Sequence, residues 1–346
     1  MNVKQKLSLI EKIREIAILI RIQQLGASII AVIGGLTVKG FGLDLFDFIL
    51  LFIIGLIINI GGQVHNDIKD FDIDKRSNEL KDRPLVKGTV SFKTAKVIIL
   101  LCLISVFAII LYFFPNMIAI LVIIISFMFG VLYNIYSKKF PCADLFLSVN
   151  MSLFLLFGAI VVIDDFQGLQ DIGMITWIVF ALTFIHVFLM DALGGELKDA
   201  KNDRDSGAKT LAIYLGVKAN NKLYISLSYK LIILIFEFST IIFAFIPFIL
   251  FDFEFSIIQM IFIILLIIFM VFSTIKLLNI KSFDRKKIMY HNRNHELAGY
   301  VLVPIVLFNI IGFYWIGFLI FFPIVWFIIF NYIFYRDSWV NPKNLG

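Results

Sequence analysis

Apolar residues run along this chain in long blocks, not in the alternation of a strand or the one-sided period of a surface helix. Blocks near 22–42, 43–65, 92–113, 116–136, 143–163, 171–194, 223–250 and 255–279 each match the roughly 20 residues a helix needs to cross a bilayer. A last apolar stretch covers about 298–335 and contains Pro304, Gly312, Gly317 and Pro323. It is too long for one ordinary span and reads as a span plus an interfacial piece, or as a tight hairpin. The pattern predicts an all-α, multi-span transmembrane bundle of nine helices, or ten, forming one domain over residues 1–346. Residues 1–20 mix charges with apolar positions and predict a cytoplasmic amphipathic helix leading into the first span. No small-residue cleavage site follows a compact apolar core, so this is not read as a secretory signal.

Composition agrees. Of 346 residues 60% are hydrophobic and 16% charged, whereas a soluble domain is nearer half apolar and a quarter charged. A water-soluble globule, a disordered chain, a fibre and a disulfide scaffold are excluded. The 39 phenylalanines suit helices that face lipid. Cys102 and Cys142 have no metal-site spacing and read as free thiols.

Charge adds direction. Of the 31 Lys and Arg, 27 fall at the N-terminus (among them Lys4, Lys6 and Arg21) or in loops after even-numbered spans, from Arg76 and Arg83 to Arg285 and Arg293. The opposite loops hold Lys39 with Asp164, Asp165, Asp171, Asp252 and Glu254. The positive-inside rule puts the N-terminus and the even loops in the cytoplasm. Topology thus accounts for the net charge of +6, and no nucleic-acid partner is needed.

Two of the cytoplasmic loops carry candidate chemistry. In GGQVHNDIKDFDID, Asn66, Asp70 and Asp74 stand at i, i+4 and i+8, with Asp67 and Asp72 read as off the stripe. In GGELKDAKNDRDSGAKT, Glu196, Asp199 and Asp203 stand at i, i+3 and i+7, flanked by Asp191 and Asp205. Each set falls on one helical face, where like charges repel. A charge at bilayer depth costs about 2.5–3.5 kcal/mol on the insertion scale, so two such stripes demand compensation. Oxygen donors suit a hard divalent cation. The bases that follow, Arg83 and Lys87 after the first stripe and Lys209 after the second, turn a cation site into a metal–phosphate site. The stripes lie 133 residues apart, both for Asp70 with Asp203 and for Asn66 with Asp199. Each ends an even-numbered span, as in a weak internal repeat.

The first stripe resembles the NDxxDxxxD motif of the UbiA-type intramembrane prenyltransferases, with Arg83-Pro84-Leu85 similar to the RP[IL] segment of that family. Asp199 and Asp203, followed by Gly207, Lys209 and Thr210, resemble its DxxxD motif; Glu196 stands where Asp is commoner. Tyr133 to Lys138 resembles its Tyr–x4–Lys element. The resemblance covers about residues 20–280. It implies a nine-helix bundle with a central cavity open to lipid and Mg²⁺-dependent transfer of a prenyl group from a polyprenyl diphosphate.

On that basis Asn66, Asp70 and Asp74 would hold one Mg²⁺ and Asp199 and Asp203 a second, with Asp67 and Glu196 as outer ligands. Arg83, Lys138 and Lys209 would bind diphosphate, with Arg21 in a lesser part, and Tyr133 would face the allylic cation. The spacing of nine positions from Asp74 to Arg83 resembles quinone-type and haem-type members, while Glu196 and GAKTLA resemble archaeal lipid and chlorophyll-type members. An aromatic quinone precursor is the favoured acceptor and geranylgeranylglyceryl phosphate the alternative. A divalent-cation transporter, from another class, would carry polar groups right across the bilayer; the outer halves of these spans are nearly free of charge.

Other polar positions are read structurally. His291 and His295 in HNRNHE fall in a basic loop and are read as solvated, and His65 and His186 as an interfacial and a packed histidine. Lys230 and Glu237 share a face of the seventh span, as functional candidates, or with Lys230 snorkelling to the cytoplasmic surface. Asn59 and Gln63 continue the face of Asn66, as cavity lining or as hydrogen-bonding partners.

Overall fold

Backbone groups in hydrocarbon have no water to bond, so an apolar run satisfies them within its own helix. The computed structural model describes residues 8–75, 81–220 and 222–334. Lys4, Lys6, Arg76, residues 1–7 of the expected N-terminal helix and residue 335 lie outside them. Among the described residues, nine helical segments are long and apolar enough to cross a membrane. The protein is an all-α, multi-pass integral membrane protein whose only strands among those residues are Lys218–Ala219 (β1) and Leu223–Tyr224 (β2).

Contacts divide the chain into two compact units: Met1–Ile29, Phe52–Phe113 and Phe321–Gly346 in the first, Ile30–Leu51 and Phe114–Ile320 in the second. In the first unit, α1 (Leu9–Leu19) starts with a reciprocal cap. The Glu11 N–H donates to Ser8 Oγ at 3.3 Å and the Ser8 N–H to Glu11 Oε2 at 2.7 Å. The far ends of α3 (Leu45–Asp74), α4 (Pro84–Lys87) and α5 (Phe92–Phe113) pack on α1 around buried Leu19, Val64, Leu85, Val90 and Ala95. Glu15 accepts from the Thr89 hydroxyl and lies 3.7 Å from Lys87. The tail of α14 (Phe308–Phe334) is tied in by Arg14, which donates to the Phe334 carbonyl at 3.1 Å, and by Trp326 Nε1, which donates to the Ile22 carbonyl at 2.8 Å.

The second unit holds α2 (Ile30–Lys39), α6 (Met117–Tyr136), α7 (Ala143–Val161), α8 (Met174–Leu189), α9 (Leu197–Ser206), α10 (Leu211–Tyr214), α11 (Leu227–Leu250), α12 (Ile257–Leu278) and α13 (Arg285–Val306). Small residues let α2 and α7 meet backbone to backbone: a Cβ on Gly158 would strike the Ala31 carbonyl, and one on Gly34 the Leu155 carbonyl. Large apolar side chains on α12, among them Ile257, Ile258, Ile261 and Leu265, stay exposed, as expected of a lipid-facing wall. The same holds for Leu100, Leu101 and Ile104 on α5 in the first unit.

Four departures from the predicted blocks matter. The first span is not one helix: a 3-10 turn over Ile22–Ala27 precedes α2, and Arg21 before it has φ 49°. The second span does not stop near 65. α3 runs 30 residues to Asp74, about 45 Å at 1.5 Å per residue, longer than the ~30 Å hydrocarbon core. The sixth helix does not stop near 194; it passes through a π-helix, Met190–Glu196, into α9 and ends at Gly207, whose φ of 73° stops the helix. The last stretch is two helices, α13 and α14, the latter broken at Gly312 (φ 74°). HNRNHE lies inside α13, and His295 is fully buried against Glu237, Nε2 to Oε2 3.0 Å. The solvated reading of His295 is therefore corrected: its helical period was hidden by the surrounding bases.

Gly158→Leu puts four carbons against the Ala31 backbone and should lower stability by about 1–3 kcal/mol or more, read as thermal unfolding in detergent. Gly42→Ala, where a Cβ meets nothing within 4 Å, serves as the neutral comparison.

Candidate functional site

The acids of the first stripe sit on the last two turns of α3. Successive helical residues turn by about 100°, which places Asn66, Asp70, Asp74 and also Asp67 within one arc of about 100°. Asp67 therefore belongs to the stripe, contrary to the sequence reading, whereas Asp72 points away and is exposed. Asp67 and Asp74 are 4% exposed, and each is held by a base of the same unit. Arg83 Nη1 donates to Asp74 Oδ2 at 2.5 Å and to Asp67 Oδ1 at 3.3 Å, and Arg21 Nη2 donates to Asp67 Oδ1 at 2.8 Å.

Arg83 reaches both because Pro84 opens the one-turn helix α4 directly after it, fixing the chain at the exit of the loop. Burial pushes the Asp74 carboxyl up to about 6, against the pull of Arg83, with Asp70 and Asp67 adding to the rise. Burial opposes the Arg83 charge, but Asp67 and Asp74 together hold its pKa above the ordinary value. Behind the stripe, Asn59 donates to Ser28 Oγ at 3.0 Å and Gln63 to Asn59 Oδ1 at 3.4 Å, the hydrogen-bonding alternative for these two residues.

The second stripe belongs to the second unit. Asp203, 2% exposed, accepts both oxygens' worth of contact from Lys138 Nζ, at 2.9 and 3.0 Å. Lys138 follows α6, and its carbonyl accepts the Lys209 N–H at 2.9 Å, so the backbones at the two expected diphosphate-binding lysines are joined; the Lys209 side chain is exposed. Asp199 Oδ1 accepts from Arg285 Nη2 at 3.2 Å. Tyr133 O–H donates to Asp191 at 2.7 Å.

Glu196 is used differently from its neighbours. It is 5% exposed, and its two oxygens accept the Leu211 and Ala212 N–H groups at 2.8 and 2.6 Å. Those are orphan donors at the start of α10, so Glu196 acts as a distant N-cap.

Between Asp191 and Glu196 lies the π-helix. An α-helix would set residues five apart about 140° from each other; the wider π turn brings both toward Asp144 of α7, which is 3% exposed and interacts with the two of them. The Tyr229 hydroxyl, fully buried on α11, donates to the Ala192 carbonyl inside that turn.

Every expected site residue is thus described. In the first unit Asp67 and Asp74 are gathered by Arg83, with Asn66 and Asp70 on the same arc; in the second, Lys138, Lys209, Asp199 and Asp203 gather at the foot of α9. Sequence reasoning missed Asp144, Arg285 and Tyr229, which lie on other helices, 47, 86 and 37 residues from the partners they meet; only an acid at a span start (Asp144) hinted at any of them. The donors are carboxylate and carboxamide oxygens, which fit Mg²⁺ in kind. Among the described residues no three His, Cys, Asp or Glu side chains converge closely enough to hold a metal ion. Arginine or lysine side chains hold Asp67, Asp74, Asp199 and Asp203.

Comparison with known proteins bears on the family and the fold. A 4-hydroxybenzoate octaprenyltransferase of Vesicomyosocius okutanii is 28% identical over 169 residues, 48% of this chain and 58% of that protein. A protoheme IX farnesyltransferase of Pectobacterium carotovorum is 33% identical over 114 residues, 32% of this chain and 38% of that protein. The match thus spans 58% of the length of the first of these relatives and 38% of the second. Among solved structures, a digeranylgeranylglyceryl phosphate synthase superposes with a TM-score of 0.65 at 21% identity, covering 87% of this chain and 99% of that one. A UbiA homologue from Archaeoglobus fulgidus bound to GPP and Mg²⁺ superposes with a TM-score of 0.59 at 14% identity, covering 84% and 99%. Likeness at such identity speaks for the fold. The model of the UbiA prenyltransferase family matches residues 27–294, and this chain belongs to that family.

Proposed function

We propose that this chain transfers a prenyl group from a polyprenyl diphosphate to an acceptor, with diphosphate as the leaving group. The observation that carries the reading is the pairing of buried carboxylates with bases in both stripes of a UbiA-family chain: Arg83 on Asp67 and Asp74, Lys138 on Asp203. Such pairs suit exchange. A substrate bringing phosphates and a divalent cation offers each base an anion and each carboxylate a cation, so no charge is left buried alone.

We assign Asn66, Asp70 and Asp74 to one Mg²⁺ and Asp199 and Asp203 to a second, with Asp67 as an outer ligand. Bound there, Mg²⁺ neutralises the charge of the leaving group. Arg83, Lys138 and Lys209 hold the diphosphate oxygens while the C1–O bond breaks and its electron pair leaves with diphosphate. The acceptor then bonds to C1 and gives up a proton. Tyr133, oriented by its hydrogen bond to Asp191, offers its ring face to the allylic cation. Glu196 is assigned to positioning, since its oxygens cap α10, just beyond Lys209. The positive-inside bias supports a cytoplasmic side for these residues.

For the acceptor, the sequence relatives named for 4-hydroxybenzoate and protoheme favour a ring compound. Geranylgeranylglyceryl phosphate is the alternative, and the mass of the product distinguishes them.

Reconstituted protein given geranyl diphosphate, Mg²⁺ and each acceptor should release diphosphate and form a prenylated product. Asp70→Ala and Asp203→Ala should each lower turnover by about 10²-fold or more; unchanged turnover would remove these acids from the site. Mg²⁺ flux into vesicles without any prenylated product would make the protein a transporter. Glu196→Gln sets an NH₂ against an N–H and should destabilise the fold by about 1–3 kcal/mol, leaving the Mg²⁺ requirement of the surviving activity unchanged. A shifted Mg²⁺ requirement would return Glu196 to the metal ligands.

A further inference from the structure

The bases at the head of α13 do not behave alike. Lys281, Lys286 and Lys287 are exposed, as bases in water ordinarily are. Arg285 is drawn inward: 21% of its side chain is exposed, and Nη2 donates to Asp199 Oδ1 at 3.2 Å. Asp284 caps α13 by accepting the Lys287 N–H at 3.2 Å, which fixes the turn that aims Arg285 at α9. Asp199 stands one turn before Asp203, and Asp203 carries Lys138. Two neighbouring acids thus each hold one base, from opposite parts of the chain.

We propose that Arg285 is a diphosphate-binding residue of the transfer reaction, the counterpart on Asp199 of Lys138 on Asp203. The proposal rests on the prenyl-transfer reading above. As Asp199 takes up a divalent cation, the Arg285 guanidinium leaves the carboxylate and donates two N–H bonds to oxygens of the incoming phosphate. Three physical points support it. A partly exposed ion pair is weak and readily exchanged. The planar guanidinium fork matches two phosphate oxygens, which a lysine matches only as a point charge. The released guanidinium has no need to travel, because the phosphate arrives at the same carboxylate.

Isothermal titration calorimetry on the full chain in nanodiscs tests it, with inorganic diphosphate as the probe at saturating Mg²⁺ and Mg²⁺ alone as a second titration. Arg285→Gln should weaken diphosphate binding about tenfold or more, the loss of a charge-assisted contact. Its affinity for Mg²⁺ alone should be unchanged or higher, since a competing cation is gone. Arg285→Lys should recover part of the diphosphate affinity, and Lys286→Gln should stay within about twofold of wild type, as expected for an exposed base.

Two results would overturn the proposal. In the first, Arg285→Gln or, where that variant unfolds, Arg285→Lys binds diphosphate as wild type does. In the second, Mg²⁺ affinity falls in parallel, which would make Arg285 a brace for Asp199. Failure of the wild type itself to bind diphosphate with Mg²⁺ would instead sink the prenyl-transfer reading and this proposal with it.

Discussion

A carboxylate at the end of an apolar helix cannot stand unneutralised. Desolvating it costs several kcal/mol, and in this protein that cost organises what surrounds each acid. Asp67 and Asp74 are almost fully buried and share Arg83; Asp203 is almost fully buried and holds Lys138. The neutralising partner arrives from a different element each time: the loop before α4, the end of α6, the head of α13. Helix ends and loop exits are thereby placed by charge as much as by apolar packing. The one-turn α4 after Arg83 and the Lys138–Lys209 backbone bond are local consequences.

The same demand explains why these pairs suit chemistry better than permanence. A hydrophobic pair would fill such positions as well or better for stability alone. In the proposed function, a base held on a carboxylate is a stored cation and the carboxylate beneath it a stored metal ligand, and the arrival of a metal-bound diphosphate would release both. The cap on α10 and the hydrogen bond of Tyr229 to the π-turn would hold the proposed ligands in register through that exchange.

Much of this was legible in the sequence. Spans of 18 or more apolar residues announce themselves, and the bounds of α5 agree with the block at 92–113. The two acidic stripes were visible because helical period puts them on one face. What escaped reading was contact over distance. Glu196 has the spacing of a ligand, but its partners, the N–H groups of Leu211 and Ala212, lie 15 and 16 residues on. Arg285 looks like one base among four. Asp67 was set off the stripe because an i, i+4 count overlooks its neighbourhood at i+7 with Asp74. His295 was hidden among bases, although its partner Glu237 stood out as an acid inside an apolar span. The π-helix has no pattern of its own; only Asp144, Asp191 and Tyr229 together show why the turn widens.

The most direct measurement of the central claim is a structure with Mn²⁺ and a non-reactive prenyl thiodiphosphate, in which anomalous scattering locates the metal. The account predicts Mn²⁺ bonded to Asp70 and Asp74 and to Asp199 and Asp203, with Arg83 and Lys138 moved from their carboxylates onto phosphate oxygens. Metal bound elsewhere, with the Arg83–Asp74 and Lys138–Asp203 pairs intact, would contradict it.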